Sequence, residues 1–397
     1  MLSSRKARLL LAALAVTSAL PFPARADEAE DGVNFKYMYF WDKNGAWNHT
    51  PAIAWFHKLT SAWKFQYDQE VDYVSGASRR LGLRNIGRLA DHDLELDGLT
   101  GASRRELRHS EQATAAYASE GRTGSASFYF SDENDYRSYS PSLGGSLDFN
   151  ERNTTVGASA SAFFDDMHPK GPFQGMGGTR QILSLSADLA QVLTPLTLSG
   201  LTLNVIHSSG FLGHPYTPPF TKDGNLITEN LPDRKTAVAL SGQLIRGFHI
   251  GDRLGSVHLE GRYYKDDWDL QSGTADLQWY QYLWDGTYVR LRARGYSQTA
   301  TAFAKDEYDG NEDYRTADIR FFAFSSLTLG LKVGSTFPES WGDSPWLPDR
   351  WDLSYDHAVR DTHGEDDGVH PTRRYQLFPV DEYYQQGTVL AGLSFDL

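Results

Sequence analysis

The stretch DLQWYQYLWDGTYVRLRARGYSQ, residues 276–298, consists of two alternating runs joined by a turn signal. The second run alternates three apolar residues with three arginines: Val289, Leu291 and Ala293 against Arg290, Arg292 and Arg294. The first run alternates in the same way, with Leu277 and Trp279 against Asp276, Gln278 and Tyr280. A period of two residues is typical of β-strands with two unlike faces. The stretch therefore predicts a β-hairpin with one apolar face and one charged face.

The turn at 284–286, Trp-Asp-Gly, sets the register of this hairpin. A two-residue Asp-Gly turn would place Trp279 opposite an arginine and mix the two faces. A three-residue loop whose glycine adopts the left-handed conformation instead pairs Trp279 with Leu291 and Asp276 with Arg294. We predict this second register because it keeps each face uniform.

The apolar face of such a hairpin packs either against a protein core or against lipid. The N-terminus favours an exported protein, because basic positions within 5–8 precede an apolar run at 9–20 and a small-x-small sequence at 24–26. This order is typical of a Sec signal peptide. We therefore predict that 1–26 is a signal peptide and that 27–397 forms the mature protein.

Composition narrows the alternatives further. The 397 residues include no cysteine, so disulfides are excluded. Without the four basic residues of 1–26, 34 of the 38 basic residues remain against 51 acidic ones, which argues against nucleic-acid binding. After 1–26 no apolar run approaches the roughly 20 residues of a membrane helix, yet 13% of the residues are aromatic and the mean hydropathy is −0.49. An all-β, antiparallel transmembrane β-barrel of the bacterial outer membrane has this composition, because alternation dilutes its membrane signal.

Strand-like runs recur along the mature chain, and the segments between them alternate in length. Short segments follow the even-numbered runs and most long ones follow the odd-numbered runs, as periplasmic turns and extracellular loops do in outer-membrane barrels. Counting predicts 16 strands, including one at 314–324 and a closing strand at 388–397, or 18 if 351–359 and 375–384 add a pair. The predicted long loops are 75–104, 166–179, 209–234, 300–313 and 338–387.

Several stretches resemble a family of uncharacterised bacterial outer-membrane proteins, known only as a domain of unknown function with a barrel fold. They are VDYVSGASRR (71–80), SDENDYRSYSPSLGGSLDFNERNTTVGASASAFFDD (131–166), SGFLGHPY (209–216), LPDRKTAVALSG (231–242), HLEGRYYKDDWDL (258–270) and VRLRARGYSQTATAF (289–303). The resemblance implies the barrel and its location, and it brings no substrate, cofactor or catalytic residue.

The charged face of a barrel lines its lumen. The predicted lumen residues are Arg290, Arg292, Arg294, Asp276, Glu260 and Arg262 on one wall and Asp68, Glu70 and Asp72 on another. Opposed basic and acidic walls suit a passive channel for a small polar solute. The same charges can instead neutralise one another inside a filled barrel that has a structural role in the envelope. The sequence leaves both alternatives open.

The predicted outer loops carry acidic runs at 132–135, 266–269, 306–313 and 365–367. Such carboxylates suit divalent cations that bridge to lipopolysaccharide phosphates, although none has the EF-hand spacing and solvated loops explain them as well. The repeated GASRR, at 76–80 and 101–105, offers arginines to phosphate groups or is simply solvated. We predict the lipid bilayer, lipopolysaccharide and the outer-membrane assembly machinery as partners, and neither a metal site nor a cofactor.

An alternative function rests on His207 and Ser209, which share one face near the outer end of a strand. A rim-located lipid hydrolase would use His207 as general base and Ser209 as nucleophile, with a third group orienting the imidazole. The sequence offers no obvious orienting group. The main prediction is therefore a barrel that is not an enzyme.

Overall fold

The structure is a computed structural model of the chain. It describes residues 31–43, 46–74, 106–170, 174–213, 218–219, 221–223, 225, 227–305, 308–337, 347–361 and 383–396. The predicted signal peptide and both GASRR sequences lie outside these residues.

Sixteen antiparallel strands close into one barrel. The strands are β1 Gly32–Asp42, β2 Trp47–Lys58, β3 Trp63–Val74, β4 Glu106–Ser119, β5 Arg122–Asp132, β6 Tyr136–Phe149, β7 Thr154–Met167, β8 Gly178–Thr194, β9 Thr197–Gly210, β10 Arg234–Ile250, β11 Arg253–Asp266, β12 Gln271–Trp284, β13 Thr287–Gln298, β14 Phe324–Thr336, β15 Arg350–Asp361 and β16 Tyr383–Asp396. Each strand pairs with its neighbours in sequence, and β1 pairs with β16 to close the sheet. The predicted 16-stranded barrel is confirmed.

The barrel is polar inside and apolar outside. Among the described residues, 28 polar or charged residues are buried against seven apolar ones. On the hairpin, Leu277 and Leu291 are 45% and 46% exposed, whereas Asp276 and Arg290 are 7% and 8% exposed. A soluble sandwich would bury the leucines. The observed arrangement is that of an outer-membrane barrel, with lipid against the leucines.

The hairpin of β12 and β13 has the predicted register. Asp276 pairs with Arg294 and Trp279 with Leu291, and the register shifts by one residue between Tyr282 and Trp284. Gly286 has a φ of 76°, the left-handed conformation that the three-residue loop requires. The uniform faces therefore predicted the turn correctly.

The connections differ in length at the two ends of the barrel. At the end we call the turn side, two-residue connections follow four even-numbered strands: 120–121, 195–196, 251–252 and 285–286. At the opposite end, the loop side, the longer connections include 168–177, 211–233 and 299–323. The connection 337–349 is the one long connection on the turn side among the strands described here. In the described residues no helix is long and apolar enough to span a membrane.

Two predicted segments near the C-terminus are wrong. One predicted strand is a loop and one predicted loop contains a strand, so the number of strands stays at 16. The predicted strand 314–324 is loop with a short 3-10 helix, Ile319–Phe321. There Thr316 is fully buried, and its N–H donates to the Tyr308 hydroxyl at 2.9 Å, so a side chain rather than a neighbouring strand satisfies this backbone group. The predicted loop 338–387 is interrupted by β15, which pairs with β14 and β16 along its whole length.

Candidate functional site: the charged lumen

The basic wall of the lumen lies on β13. Arg290, Arg292 and Arg294 occupy successive positions on the inner face of this strand. Although Arg294 pairs with Asp276 in the register, the ion pair goes to Arg292, whose Nε and Nη2 lie 2.8 and 2.5 Å from Asp276 Oδ2. A guanidinium that donates two hydrogen bonds to one carboxylate is held in a fixed orientation.

The wall extends to β15 through a carboxylate that the sequence analysis missed. Asp356 Oδ1 lies 3.2 Å from Arg290 Nη2, and its Oδ2 lies 3.7 Å from Arg292 Nη1. These contacts cross β14 at Gly330, which lies between Arg292 and Asp356 in the register. The result is a chain of ion pairs, Arg290–Asp356–Arg292–Asp276. Beside it, Lys332 Nζ of β14 lies 3.0 Å from Asp352 Oδ2 of β15.

Three of the predicted lumen residues form no direct ion pair, although Glu260 attracts the nearby Arg294, Arg292 and Arg262 through space. Within the described part of the chain, Arg294, Glu260 and Arg262 form neither an ion pair nor a hydrogen bond, although Arg262 lies over the Tyr264 ring at 5.6 Å. Glu260 lies on the inner face of β11, opposite Asp276. These three side chains are therefore the ones on this wall that can pair with a solute.

The acidic wall lies on β3, and Arg108 of β4 pairs with two of its three carboxylates. The buried Asp72 pairs with Arg108 of β4 and accepts hydrogen bonds from Thr50 and, at 3.2 Å, from Asn48. Arg108 Nη2 also lies 2.9 Å from Glu70 Oε1. Arg108 is another site residue that sequence reasoning missed, although the inner-face position opposite Asp72 was a signal for it.

Asp68, the third carboxylate of this wall, borders a recess in the lumen wall. The Gln66 amide donates to both Asp68 oxygens at 2.9 Å. The recess has a volume of about 250 Å³, and its inward-facing polar lining is Asn34, Lys36, Asp68, Glu70, Ser110, Gln112 and Tyr129. An ammonium group and carboxylates therefore face the same space, which suits small solutes that carry both charges.

The inner surface also contains polar atoms that no protein group satisfies. Among the described residues, the buried inner-face atoms without a hydrogen-bond partner are Asn48 Oδ1, Arg108 Nε, Ser131 Oγ, Ser140 Oγ, Asp276 Oδ1 and Arg290 Nε. A buried polar atom without a protein partner is costly unless water reaches it. These atoms occur on several strands around the barrel, on the face that also carries the charged residues.

The acidic loop-side segments serve local structure. Asp266 accepts backbone hydrogen bonds from Trp268 and Leu270 at 3.1 and 3.0 Å. Glu312 accepts the N–H groups of Asp309 and Gly310, both at 3.0 Å, and these bonds lower the pKa of Glu312 to about 2. No group of three or more metal-ligating side chains occurs within the described residues. The predicted run at 365–367 lies outside them.

His207 and Ser209 both lie on the outer face of β9, but they are not paired. His207 Nδ1 lies 3.0 Å from Thr236 Oγ1 of β10, and no hydrogen bond joins His207 to Ser209 among the described contacts. A base must reach its nucleophile within hydrogen-bond distance to activate it. The arrangement gives no support to a lipid hydrolase.

Comparison with known proteins places the sequence in context. The profile of a family described as "Protein of unknown function (DUF3570)" matches residues 97–344. No curated protein matches the chain.

Three solved barrels are similar at low identity. A bacterial polysaccharide outer membrane secretin is 10% identical, with a TM-score of 0.48 over 93% of this chain and 98% of that chain. CdiB from Acinetobacter baumannii is 8% identical, with a TM-score of 0.49 over 92% of this chain and 60% of that chain. The outer membrane protein OpdK from Pseudomonas aeruginosa is 10% identical, with a TM-score of 0.39 over 92% of this chain and 98% of that chain. At this level, similarity does not extend to what these proteins bind or transport.

Proposed function

The chain belongs to the DUF3570 family of proteins of unknown function, and we propose that it is a passive channel for small polar solutes in the bacterial outer membrane. The observation that carries this proposal is the polar and charged inner face of the closed barrel, where Arg294 is exposed and a recess of about 250 Å³ lies beside Lys36 and Asp68. A 16-stranded barrel is wide enough to hold an aqueous path. A purely structural barrel with a filled lumen would instead cover these charged side chains with protein groups.

The distribution of charge suggests how such a channel treats its solutes. Arg290 and Arg292 are fixed by carboxylates, whereas Arg294 is unpaired and exposed on the inner face. The recess beside Lys36 and Asp68 lies on the other charged wall. A solute with both charges can therefore exchange water for ionic partners on either wall as it passes. The channel needs neither a cofactor nor a metal for this function.

The proposal also covers how the barrel reaches the outer membrane and what it contacts there. Export through the Sec pathway, insertion by the outer-membrane assembly machinery and contact with lipopolysaccharide are the expectations that go with this location. The alternation of Val389, Ala391, Leu393 and Phe395 on the outer face of β16 supports them, because a closing strand must present a continuous apolar face to lipid.

Planar-bilayer recording of the purified full-length protein tests the channel. We expect stepwise open-channel currents from the wild type. The variants Arg294→Glu and Arg262→Glu should shift the reversal potential in a salt gradient towards cation preference, because each reverses an unpaired charge that faces the lumen.

The matched control is Arg152→Glu, which makes the same charge change in the turn between β6 and β7. It should leave the reversal potential close to that of the wild type. Folded protein that inserts into bilayers without passing current would contradict the proposal and favour the structural role. An equal shift in the control and in both lumen variants would show that net charge, rather than the lumen wall, sets ion preference.

A further inference from the structure

Three cations converge at the loop-side mouth of the lumen, and we call Arg180, Lys235 and Arg320 the mouth cations. Arg180 and Lys235 lie close to the loop-side ends of β8 and β10. On these strands the neighbouring positions that point outwards carry exposed apolar residues such as Leu183 and Val238. Because side chains alternate along a strand, Arg180 and Lys235 point into the lumen.

The connection 299–323 brings Arg320 to the same place. The amide of Gln298, on the inner face of β13, donates to the Arg320 carbonyl at 2.9 Å. The next residue, Phe321, packs edge-on against Trp268 with ring centroids 5.5 Å apart, and Lys235 Nζ lies 5.0 Å from the centroid of the Trp268 ring. A continuous row of aromatic contacts therefore joins the segment of Arg320 to Lys235.

The mouth cations repel one another across a space with few side chains. Both Arg180 and Arg320 act on the Lys235 ammonium with an unfavourable charge. Between Arg180 and Lys235, the inner positions of β9 are Ser208 and Gly210, which leave the floor of this space open. Like charges that are held together favour the binding of an anion between them.

Each mouth cation has a carboxylate partner, but these carboxylates are buried in the barrel wall and the adjoining loops. The partners of Arg180, Lys235 and Arg320 are Asp165, Asp266 and Asp318, respectively. The side chains of the three carboxylates are at most 7% exposed, whereas those of the cations are 24% to 66% exposed. A solute that enters the lumen here therefore meets the positive charges.

Two of the mouth cations keep unused hydrogen-bond donors. Lys235 Nζ lies 3.9 Å from Asp266 Oδ2, which is too far for a hydrogen bond, and it donates to no other group within the described residues. Arg320 donates from Nε and Nη2 to Asp318 Oδ2, at 2.7 and 2.5 Å. The ammonium therefore offers all its N–H groups to a ligand, and the guanidinium offers the remainder of its own.

We propose that the mouth cations bind the carboxylate or phosphate group of a solute as it enters the lumen. The oxygens of such a group accept charge-assisted hydrogen bonds from the free donors of Lys235 and Arg320. In a chain of net charge −13, a local cationic site lets an anion enter where the overall charge repels it. This inference names the charged group of the solute and rests on the proposed channel for the path that the solute takes.

Isothermal titration calorimetry of the refolded full-length protein in detergent micelles tests the site. The probes are succinate and inorganic phosphate, and the uncharged analogue is succinamide. We expect saturable binding of at least one anion, weaker at higher ionic strength, and no binding of succinamide. The anion that binds more tightly identifies the group that the site prefers.

Substitutions of Lys235 test its role directly. Lys235→Gln should raise the dissociation constant of the anion about tenfold, because a charge-assisted hydrogen bond is lost. Lys235→Arg, which keeps the charge and the donors, should retain binding. The matched control is Lys265→Gln, which removes the same charge from the exposed outer face of β11 at the same end of the barrel and should bind as the wild type does.

A double variant tests Arg320 without leaving a buried carboxylate unpaired. Arg320→Gln combined with Asp318→Asn should weaken anion binding by a similar factor, whereas Asp318→Asn alone should not weaken it. Heat-modifiable gel mobility confirms that every variant is folded.

The proposal is wrong if folded wild-type protein binds neither anion. It is also wrong if Lys265→Gln weakens binding as much as Lys235→Gln does, since net charge alone would then explain the effect. Calorimetry does not depend on current, so the two proposals fail separately. Binding without current would contradict the channel and support the anion site, and current without binding would contradict the anion site alone.

Discussion

Gly330 allows the ion pairs of the basic wall to cross β14, and Gly330→Ala tests this role. The distance from an added Cβ to Asp356 Oδ1 would be 1.8 Å, whereas real Cβ atoms stay beyond 3.0 Å. The carboxylate must therefore withdraw by more than 1 Å. Since Asp356 Oδ1 now lies 3.2 Å from Arg290 Nη2, this movement breaks the pair.

The expected cost follows from the partners that are lost. A hydrogen bond to a charged group contributes about 1.5–3 kcal/mol when its partner is buried, and the Arg290 side chain is only 10% exposed. Replacing glycine by alanine in a strand recovers about 0.5–1 kcal/mol of backbone entropy. We therefore expect Gly330→Ala to lower the free energy of unfolding by about 1 kcal/mol.

Urea unfolding of the refolded barrel, followed by tryptophan fluorescence, measures this difference. Gly295→Ala is the matched control, because no atom lies within 4 Å of its added Cβ. It should be neutral or slightly stabilising. In an Asp356→Asn background the cost of Gly330→Ala should shrink, since the charge is already gone. Equal stability of the two alanine variants would refute the reasoning, as would an undiminished cost in the asparagine background.

Three further predictions concern other contacts. Arg108→Leu should destabilise the barrel by about 1–3 kcal/mol in the same urea assay, because it leaves Asp72 buried without its cation; adding Asp72→Asn should recover most of the loss. The pKa of Glu312 is lowered from 4.5 to about 2, so its stabilisation of the 308–316 loop is present above pH 4.5 and lost as the pH falls towards 2. Hydrogen exchange at Asp309 should accelerate over that window in the wild type, while a Glu312→Gln variant should exchange fast throughout. Gly286→Val should lower the urea midpoint by the equivalent of about 1–3 kcal/mol, because its φ of 76° strains a β-branched residue.

The sequence predicted the hairpin because side-chain alternation determines face, and uniform faces distinguish the three-residue loop from the two-residue turn. The same alternation predicts which residues share the charged face, although not what they bind. It misassigned 314–324 because alternation in a short segment does not reveal whether the backbone finds partners in a strand or in a folded loop. Tyr308 is the residue that decides this point, and its hydroxyl contact with Thr316 is not visible in a period of two.

The partners of the lumen charges could not be predicted for a different reason. Alternation gives the face of each residue, but the register across several strands accumulates from every intervening turn. Asp356 reaches Arg290 two strands away only because Gly330 leaves the space between them. Asp356 lies within the predicted loop 338–387, so the sequence analysis did not place its carboxylate on the basic wall. A glycine on the inner face leaves space in which side chains of its two flanking strands can meet. The inner-face glycines of a barrel therefore indicate which lumen charges can pair across an intervening strand.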